Sequence, residues 1–121
     1  MKAYRIEPGC RLALKRFDPD DTGAYKKNED GKAKAKAAAD ELIATLDQLQ
    51  ERLYANGSRA LLIVLQGMDT SGKDGTIKHV MSGVNPQGCQ VYSFKAPSST
   101  DLDHDYLWRC MQCLPERGRI G

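Results

Sequence analysis

The sequence contains little that would point to a membrane, an export signal or a nucleic acid. None of its apolar runs approaches the roughly 20 residues that cross a bilayer, and residues 1–17 hold neither an apolar signal core nor a cleavage pattern. The formal net charge is only +2, which is too small to argue for nucleic-acid binding by itself. With 121 residues, 40% of them hydrophobic, the chain predicts one globular cytoplasmic domain, or a piece of one, without a nucleic-acid or membrane partner.

The sequence also lacks a second cysteine pair. Cys110 and Cys113 have the spacing of redox and zinc sites, but a zinc ribbon needs two such pairs, and Cys10 and Cys89 are isolated. Residues 105–114 moreover place apolar side chains on one face of a helix. We therefore predict structural, buried thiols rather than a metal or redox site.

The most informative segment is 61–75, where an apolar run stops at Gly67 and is followed by Gly72 and Lys73. This spacing is the frame of a phosphate-binding loop between a strand and a helix. Its glycines let successive N–H groups converge on an anion, and the helix adds the positive end of its dipole. Lys73 supplies a full charge to phosphoryl oxygens. The phosphate-binding residues predicted in this loop are Gly67, Met68, Thr70, Ser71, Gly72, Asp74 and Gly75.

The loop departs from the usual pattern at Asp74, where Ser or Thr would offer a hydroxyl to Mg²⁺. Thr76 lies two residues further on. Asp69 lies inside the loop, where a carboxylate would repel phosphate unless a cation lay between them. We therefore predict that Asp69 binds Mg²⁺ or orients an attacking oxygen. The alternative, a chance Gly-Gly-Lys turn, is disfavoured by the apolar run before the loop and the helix-compatible segment after it.

The remaining segments predict an α/β fold in which a strand, the loop, a helix and a second strand form one parallel, right-handed unit. Residues 1–30 are rich in turn residues and predict an extended arm that packs over the domain. The charged tract 26–36 is either a patch that attracts phosphate or, as we favour, the solvated start of a helix. Helices are predicted at 32–55, 75–83 and 101–114, and strands at 60–66 and 89–94. The first strand is apolar at nearly every position, which is typical of a strand covered on both faces.

Lys95 leaves the carboxyl end of the second predicted strand. Ligands bind at this edge of open α/β sheets, so Lys95 is expected near the same anion as Lys73. An ordinary solvated lysine is the alternative. Because about two strands and three helices do not close a doubly wound sheet, we expect the amino-terminal part of a longer protein, or a truncated reading frame.

Five ordered blocks of this sequence resemble the polyphosphate kinase 2 family. They are residues 67–76, 80–88, 93–97, 102–109 and 115–121. The similarity runs from about Asp21 to the end of the sequence, in order. A phosphate loop alone is common, whereas five ordered blocks around it are far more specific.

The resemblance implies a P-loop kinase-like parallel sheet with flanking helices, incomplete here, with residues 31–121 as the N-terminal part of the kinase domain. It implies transfer of phosphoryl groups between inorganic polyphosphate and a nucleotide, AMP or ADP, with Mg²⁺, in a homo-oligomer. Asp69 and Lys73 match the family's catalytic residues, with Asp69 implicated in metal binding, while Lys95 and Arg109 fall in matching blocks and are expected to bind phosphate. The family's second acidic motif and its basic lid would lie beyond Gly121.

Two other functions remain open on the sequence. The loop could belong to another small-molecule kinase that uses ATP as the phosphoryl donor, although such a kinase has no reason to share the blocks after residue 80. The chain could also be a non-catalytic remnant that binds phosphate weakly or folds only against a partner subunit.

Overall fold

The computed structural model describes residues 4–121. These residues divide between Lys36 and Ala37 into two compact units. The helices of the described residues are α1 (Glu29–Asn56), α2 (Lys73–Val80), α3 (Ser99–Leu102) and α4 (Trp108–Met111), with 3-10 helices at Leu14–Arg16 and Pro86–Gly88. Within residues 4–121, none of the helices combines the length and the apolar character that crossing a membrane requires.

Residues 4–36 contain turns that carboxylates hold in place. Asp21 accepts hydrogen bonds from the N–H of Gly23 and from the hydroxyl of Tyr4, both at 2.8 Å. Both bonds lower the pKa of Asp21, and the bond to Asp21 raises the pKa of Tyr4. The predicted division of the sequence into an arm, 1–30, and a kinase domain, 31–121, stays a prediction.

Helix α1 confirms the helix predicted at 32–55 and has a defined signal at each end. The side chain of Asn28 accepts a hydrogen bond from the N–H of Gly31 at 2.8 Å, which satisfies one of the free donors at the start of the helix. At the other end Gly57 has φ +60° and donates its N–H to the carbonyl of Leu53 at 3.1 Å. A left-handed glycine of this kind closes a helix at low cost because it has no Cβ.

In the second unit, glycines allow helix α1 to approach its neighbours closely. Gly88 lies directly against the side chain of Gln50, which is only 2% exposed. At Gly118, an added Cβ would lie 3.2 Å from the carbonyl oxygen of Tyr54. Since residues 50 and 54 are one helical turn apart, the two glycines face the same side of α1.

The predicted strands 60–66 and 89–94 are not assigned as strands in the part of the chain that the structure describes, so the predicted two-strand sheet is not confirmed. Instead, Leu61 and Cys89 each form an isolated parallel bridge with Ile120. The N–H of Gly121 donates to Leu61 at 2.8 Å, and the N–H of Gln90 donates to Ile120 at 2.8 Å. The segment around Ile120 therefore lies between the other two.

The apolar segment before the phosphate loop is exposed, contrary to the prediction that both of its faces are covered. Relative exposure is 45% at Leu61, 44% at Leu65 and 74% at Val64. Among the described residues, only Val84 and Ile120 are buried hydrophobic residues. The described residues supply no layer over this segment, although its composition is that of a buried strand.

Two of the predicted helices differ from the observed ones. The helix predicted at 75–83 is α2, which begins two residues earlier, at Lys73, and ends at Val80. The continuous helix predicted at 101–114 is wrong, because α3 ends at Leu102 and α4 begins only at Trp108. Between them, the carboxylate of Asp105 accepts the N–H of Leu107 at 3.0 Å. Such local bonds from aspartate compete with helical ones and favour a turn.

Candidate functional site

The loop between Gly67 and Lys73 is a compact turn. The N–H of Ser71 donates to the carbonyl of Met68 at 3.2 Å, and two residues adopt left-handed conformations, Thr70 with φ 59° and Gly72 with φ 86°. A left-handed Gly72 is the reason that the chain can turn sharply into α2. The segment is thus curled rather than extended or helical, as the phosphate-loop prediction requires.

The ammonium group of Lys73 is hydrogen-bonded to the backbone of this loop. Its Nζ donates to the carbonyl oxygens of Gly67 at 2.8 Å and Met68 at 2.7 Å, and it lies 3.3 Å from the hydroxyl of Ser71. Three partners from the same loop contact one cation, so the loop and its lysine form one hydrogen-bonded unit. A polyanion with several phosphoryl oxygens offers stronger acceptors than neutral carbonyls do and would compete for this ammonium group.

Helix α2 starts at the loop without a side-chain cap. Its N-cap is Gly72, which has no side chain, so the N–H groups of the first helical turn have no capping acceptor. The first helical bond runs from the N–H of Thr76 to Gly72 at 2.9 Å, and the Thr76 hydroxyl also donates to that carbonyl, at 3.0 Å. Thr76 is therefore engaged within the helix, while the N–H groups before it are available to an anion.

Asp69 stands exposed on the loop. One carboxylate oxygen accepts the N–H of Thr70 at 3.1 Å, which leaves the second oxygen uncommitted. Within residues 4–121, no group of three or more histidine, cysteine, aspartate or glutamate side chains is arranged to hold a metal ion. A single carboxylate would suit Mg²⁺ if phosphate were bound beside it, because Mg²⁺ keeps several waters and is usually held by one or two carboxylates together with substrate phosphates.

Lys95 and Arg109 lie together in a second cluster. The guanidinium of Arg109 donates to the carbonyl of Lys95 at 2.9 Å and lies 4.8 Å from the ring centroid of Phe94. Its Nη1 is 3.8 Å from Asp101, and both side chains of that pair are 22% exposed. These residues and Trp108 line a shallow cleft of about 320 Å³. Among the hydrogen bonds and ion pairs of residues 4–121, none joins this cluster to the phosphate loop.

Asp101 is the residue of this cluster that the sequence analysis missed. Its carboxylate accepts the N–H and the hydroxyl of Ser98, both at 2.8 Å, while the N–H of Asp101 donates to the Ser98 hydroxyl at 3.2 Å. These bonds, and the positive charge of Arg109, hold the pKa of Asp101 below its ordinary value. The signal was present in the sequence, because Ser-x-x-Asp is close to the capping-box pattern of a helix start.

The cysteines do not form a site in the described residues. All four are free, and Cys110 is exposed, contrary to the prediction of a buried thiol, while Cys113 is partly exposed. The reason is that α4 has only four residues and does not present the long apolar face expected from the spacing. Burial raises the pKa of the Cys89 thiol, which makes it less reactive.

Comparisons with known proteins agree on one family. The model of the family described as polyphosphate kinase 2 (PPK2) matches residues 26–121. The chain is 51% identical over 120 residues to an AMP/ADP-polyphosphate phosphotransferase of Meiothermus ruber, covering 99% of this chain and 44% of that protein. It is also 51% identical to an ADP-polyphosphate phosphotransferase of Rhodopseudomonas palustris over 124 residues, 99% of this chain and 40% of that one.

A solved structure gives the same result for the fold. The crystal structure of polyphosphate kinase 2 from Arthrobacter aurescens TC1 superposes with a TM-score of 0.84 at 39% identity, over 97% of this chain and 42% of that chain. The chain thus spans less than half the length of these relatives. Their similarity includes the phosphate loop and the segment that carries Lys95 and Arg109.

Proposed function

We propose that this chain, which belongs to the polyphosphate kinase 2 family, takes part in moving phosphoryl groups between inorganic polyphosphate and AMP or ADP. The observation that carries the proposal is the ammonium group of Lys73, enclosed by the carbonyls of Gly67 and Met68 at 2.8 and 2.7 Å. A cation preorganised inside a curled loop and beside an uncapped helix start is suited to a chain of phosphoryl groups. The relatives named above are phosphotransferases that act on polyphosphate.

In this proposal, the loop backbone binds one phosphoryl group and Lys73 moves from the loop carbonyls to its oxygens. The N–H groups of Lys73, Asp74 and Gly75, which precede the first helical bond of α2, supply the cradle. Catalysis then consists mainly of positioning the phosphate chain and offsetting its charge.

Asp69 is the residue that would hold Mg²⁺ in this site, through the carboxylate oxygen that Thr70 does not occupy. When bound, Mg²⁺ would offset negative charge on the phosphate oxygens. Asp74, in the first turn of α2, is exposed and its carboxylate would face the same anion. A cation beside the loop reduces the repulsion that either carboxylate exerts on phosphate.

Finer features of the fold belong to the same proposal. The parallel bridges from Leu61 and Cys89 to Ile120 support a parallel α/β sheet in which the segment at Ile120 is central. We also propose that the protein is cytoplasmic and assembles as a homo-oligomer. A small-molecule kinase that uses ATP as donor is disfavoured, since the relatives that match nearly the whole chain act on polyphosphate.

The test is an assay of the protein expressed from its complete gene, with polyphosphate as the only phosphoryl donor and ADP or AMP as acceptor. ATP formed from ADP is measured by luminescence, and ADP formed from AMP by chromatography. Lys73→Met is expected to lower the rate by about 10²-fold or more, the usual size of a single electrostatic contribution. Lys78→Met is the matched control, because Lys78 is an exposed lysine near the end of the same helix. Absence of transfer in the unsubstituted protein, or full activity in Lys73→Met, would contradict the proposal.

A further inference from the structure

Two cations of the second cluster differ in what surrounds them. The guanidinium of Arg109 has three partners, which are the carbonyl of Lys95, the ring of Phe94 and the carboxylate of Asp101. By contrast, no hydrogen bond or ion pair within residues 4–121 involves the ammonium group of Lys95. One cation is committed to the protein and the other is available to a ligand.

The contacts of Arg109 join the two sides of the cleft. Arg109 lies on α4, whereas Phe94 and Lys95 precede α3 and Asp101 lies within α3. Asp101 in turn binds both the N–H and the hydroxyl of Ser98 at 2.8 Å. The chain from Lys95 to Ser98 is therefore held at its start by Arg109 and at its end by Asp101.

The charge around Arg109 also argues against direct phosphate binding. Asp101 lies 3.8 Å away and is ionised at neutral pH, so it already offsets the positive charge of the guanidinium. A phosphate group at Arg109 would have to approach this carboxylate, and like charges at such distances repel one another. Within the described residues, no carboxylate forms an ion pair or a hydrogen bond with the ammonium group of Lys95.

We infer that Arg109 is a positioning residue, which holds the Lys95 segment in place for phosphate binding and is not itself a phosphate ligand. This inference rests on the proposed function, because it takes polyphosphate as the ligand that supplies the phosphate groups. It revises the role expected for Arg109 from the sequence and keeps the role expected for Lys95. An arginine suits this task because its planar group can donate to a carbonyl, stack on a ring and face a carboxylate at the same time, which lysine cannot do.

The first experiment measures KM for polyphosphate in the protein expressed from its complete gene. Lys95→Ala is expected to raise this KM about tenfold or more, the effect of losing a hydrogen bond to a charged group. Arg109→Gln and Arg109→Lys are expected to raise it by a similar factor, with a much smaller effect on kcat. In the Lys95→Ala background, however, Arg109→Gln should add less than about twofold, because residues that act through one another are not additive. Arg52→Gln, an exposed arginine of α1, is the control.

Several results would overturn the inference. A full, additive effect of Arg109→Gln on top of Lys95→Ala would mean that Arg109 contacts the anion itself. A wild-type KM in Arg109→Lys would mean that charge alone is needed. Should Arg109→Gln fail to fold, Asp101→Asn is the second variant, with Asp103→Asn as its control, and it should raise the KM only when Lys95 is present. An Asp101→Asn variant with an unchanged KM would then count against the inference.

A second readout separates this inference from the proposed function. Backbone amide NMR signals of residues 95–101 should shift in Arg109→Gln or Asp101→Asn, while those of residues 67–73 stay in place. This holds whether or not polyphosphate is a substrate. If the unsubstituted protein transfers no phosphoryl group but these signals shift, the proposed function fails and the positioning contact stands. If the signals of 95–101 do not move, Arg109 does not hold this segment.

Discussion

The Nζ atom of Lys73 lies 2.7 Å from the carbonyl oxygen of Met68, five residues earlier in the same loop. The lysine is therefore hydrogen-bonded to its own loop. This contact and the one to Gly67 occupy two carbonyls of the loop. The N–H groups at the start of α2 do not bond to these carbonyls. In the proposed function, a polyanion that replaces these carbonyls as partner of the ammonium group would bind a loop that is already curled, which lowers the ordering cost of binding.

Asp69→Asn tests the metal site. The substitution keeps the oxygen that accepts the N–H of Thr70 but removes the negative charge that attracts a cation. We expect the Mg²⁺ concentration at half-maximal rate to rise about tenfold or more, as for the loss of one charge-assisted contact. Metal titrations of the polyphosphate-dependent reaction measure it, with Asp40→Asn on the exposed face of α1 as control. An unchanged titration would show that Asp69 only shapes the turn.

Thr70→Gly tests strain in the phosphate loop. A β-branched residue with φ 59° is in a conformation that glycine adopts freely. We expect the substitution to raise the free energy of unfolding by about 0.5–1 kcal/mol, the relief of strain less the extra flexibility of glycine in the unfolded chain. Chemical denaturation measures this change. A loss of stability would mean that the threonine side chain makes a contact that outweighs the strain.

Gly88→Ala and Gly75→Ala test the packing of two glycines with opposite surroundings. A Cβ at Gly88 would overlap the side chain of Gln50, whereas a Cβ at Gly75 would meet no atom within 4 Å. We expect Gly88→Ala to lower the free energy of unfolding by about 1–3 kcal/mol through overpacking. Gly75→Ala, within α2, should instead raise it by about 0.4–1 kcal/mol, because alanine restricts the unfolded chain.

Denaturation midpoints measure both changes. If Gly88→Ala and Gly75→Ala shift the midpoint equally, the contact with Gln50 is not the reason for glycine at position 88. The buried Oε1 of Gln50 also has no hydrogen-bond partner among the described residues. Gln50→Ala combined with Gly88→Ala should therefore recover part of the stability lost in Gly88→Ala, because the overlap is gone.

Asp101 makes stability depend on pH in the acid range. The bonds from Ser98 and the charge of Arg109 lower the folded-state pKa of Asp101 below the ordinary 3.8. The unfolded chain therefore takes up the proton first, so this stabilisation is present above about pH 3.8 and is lost as pH falls through the folded-state pKa. The melting temperature of the wild type should exceed that of Asp101→Asn at neutral pH, and the two should converge below pH 3.8.

Circular dichroism melts at a series of pH values measure this convergence, with Asp103→Asn as the control that should follow the wild type. A difference between wild type and Asp101→Asn that stays constant through the acid range would show that the carboxylate charge does not stabilise the fold.

Local signals in the sequence were sufficient for some elements of the fold. The apolar spacing and the Asn-Gly stop predicted α1, and the two glycines before Lys73 predicted a curled loop leading into α2. The long helix at 101–114 was predicted wrongly, since the apolar spacing gave no sign of the bond between the Asp105 carboxylate and the N–H of Leu107, which favours a turn between α3 and α4. Periodicity reports which residues could share a face but not whether a nearby polar side chain competes for the backbone.

The sequence by itself determined the family and predicted the curled loop between Gly67 and Lys73, because both depend on residue types at fixed positions along the chain. Only the tertiary structure decided that Ile120 lies between the segments of Leu61 and Cys89, and that Arg109 is surrounded by Phe94, Lys95 and Asp101. These contacts join residues 8 to 59 positions apart, and no local pattern encodes which distant groups meet. The physical reason is that extended segments and charged groups find their partners only when the chain packs. At that stage every polar group in the cleft competes for the same few partners.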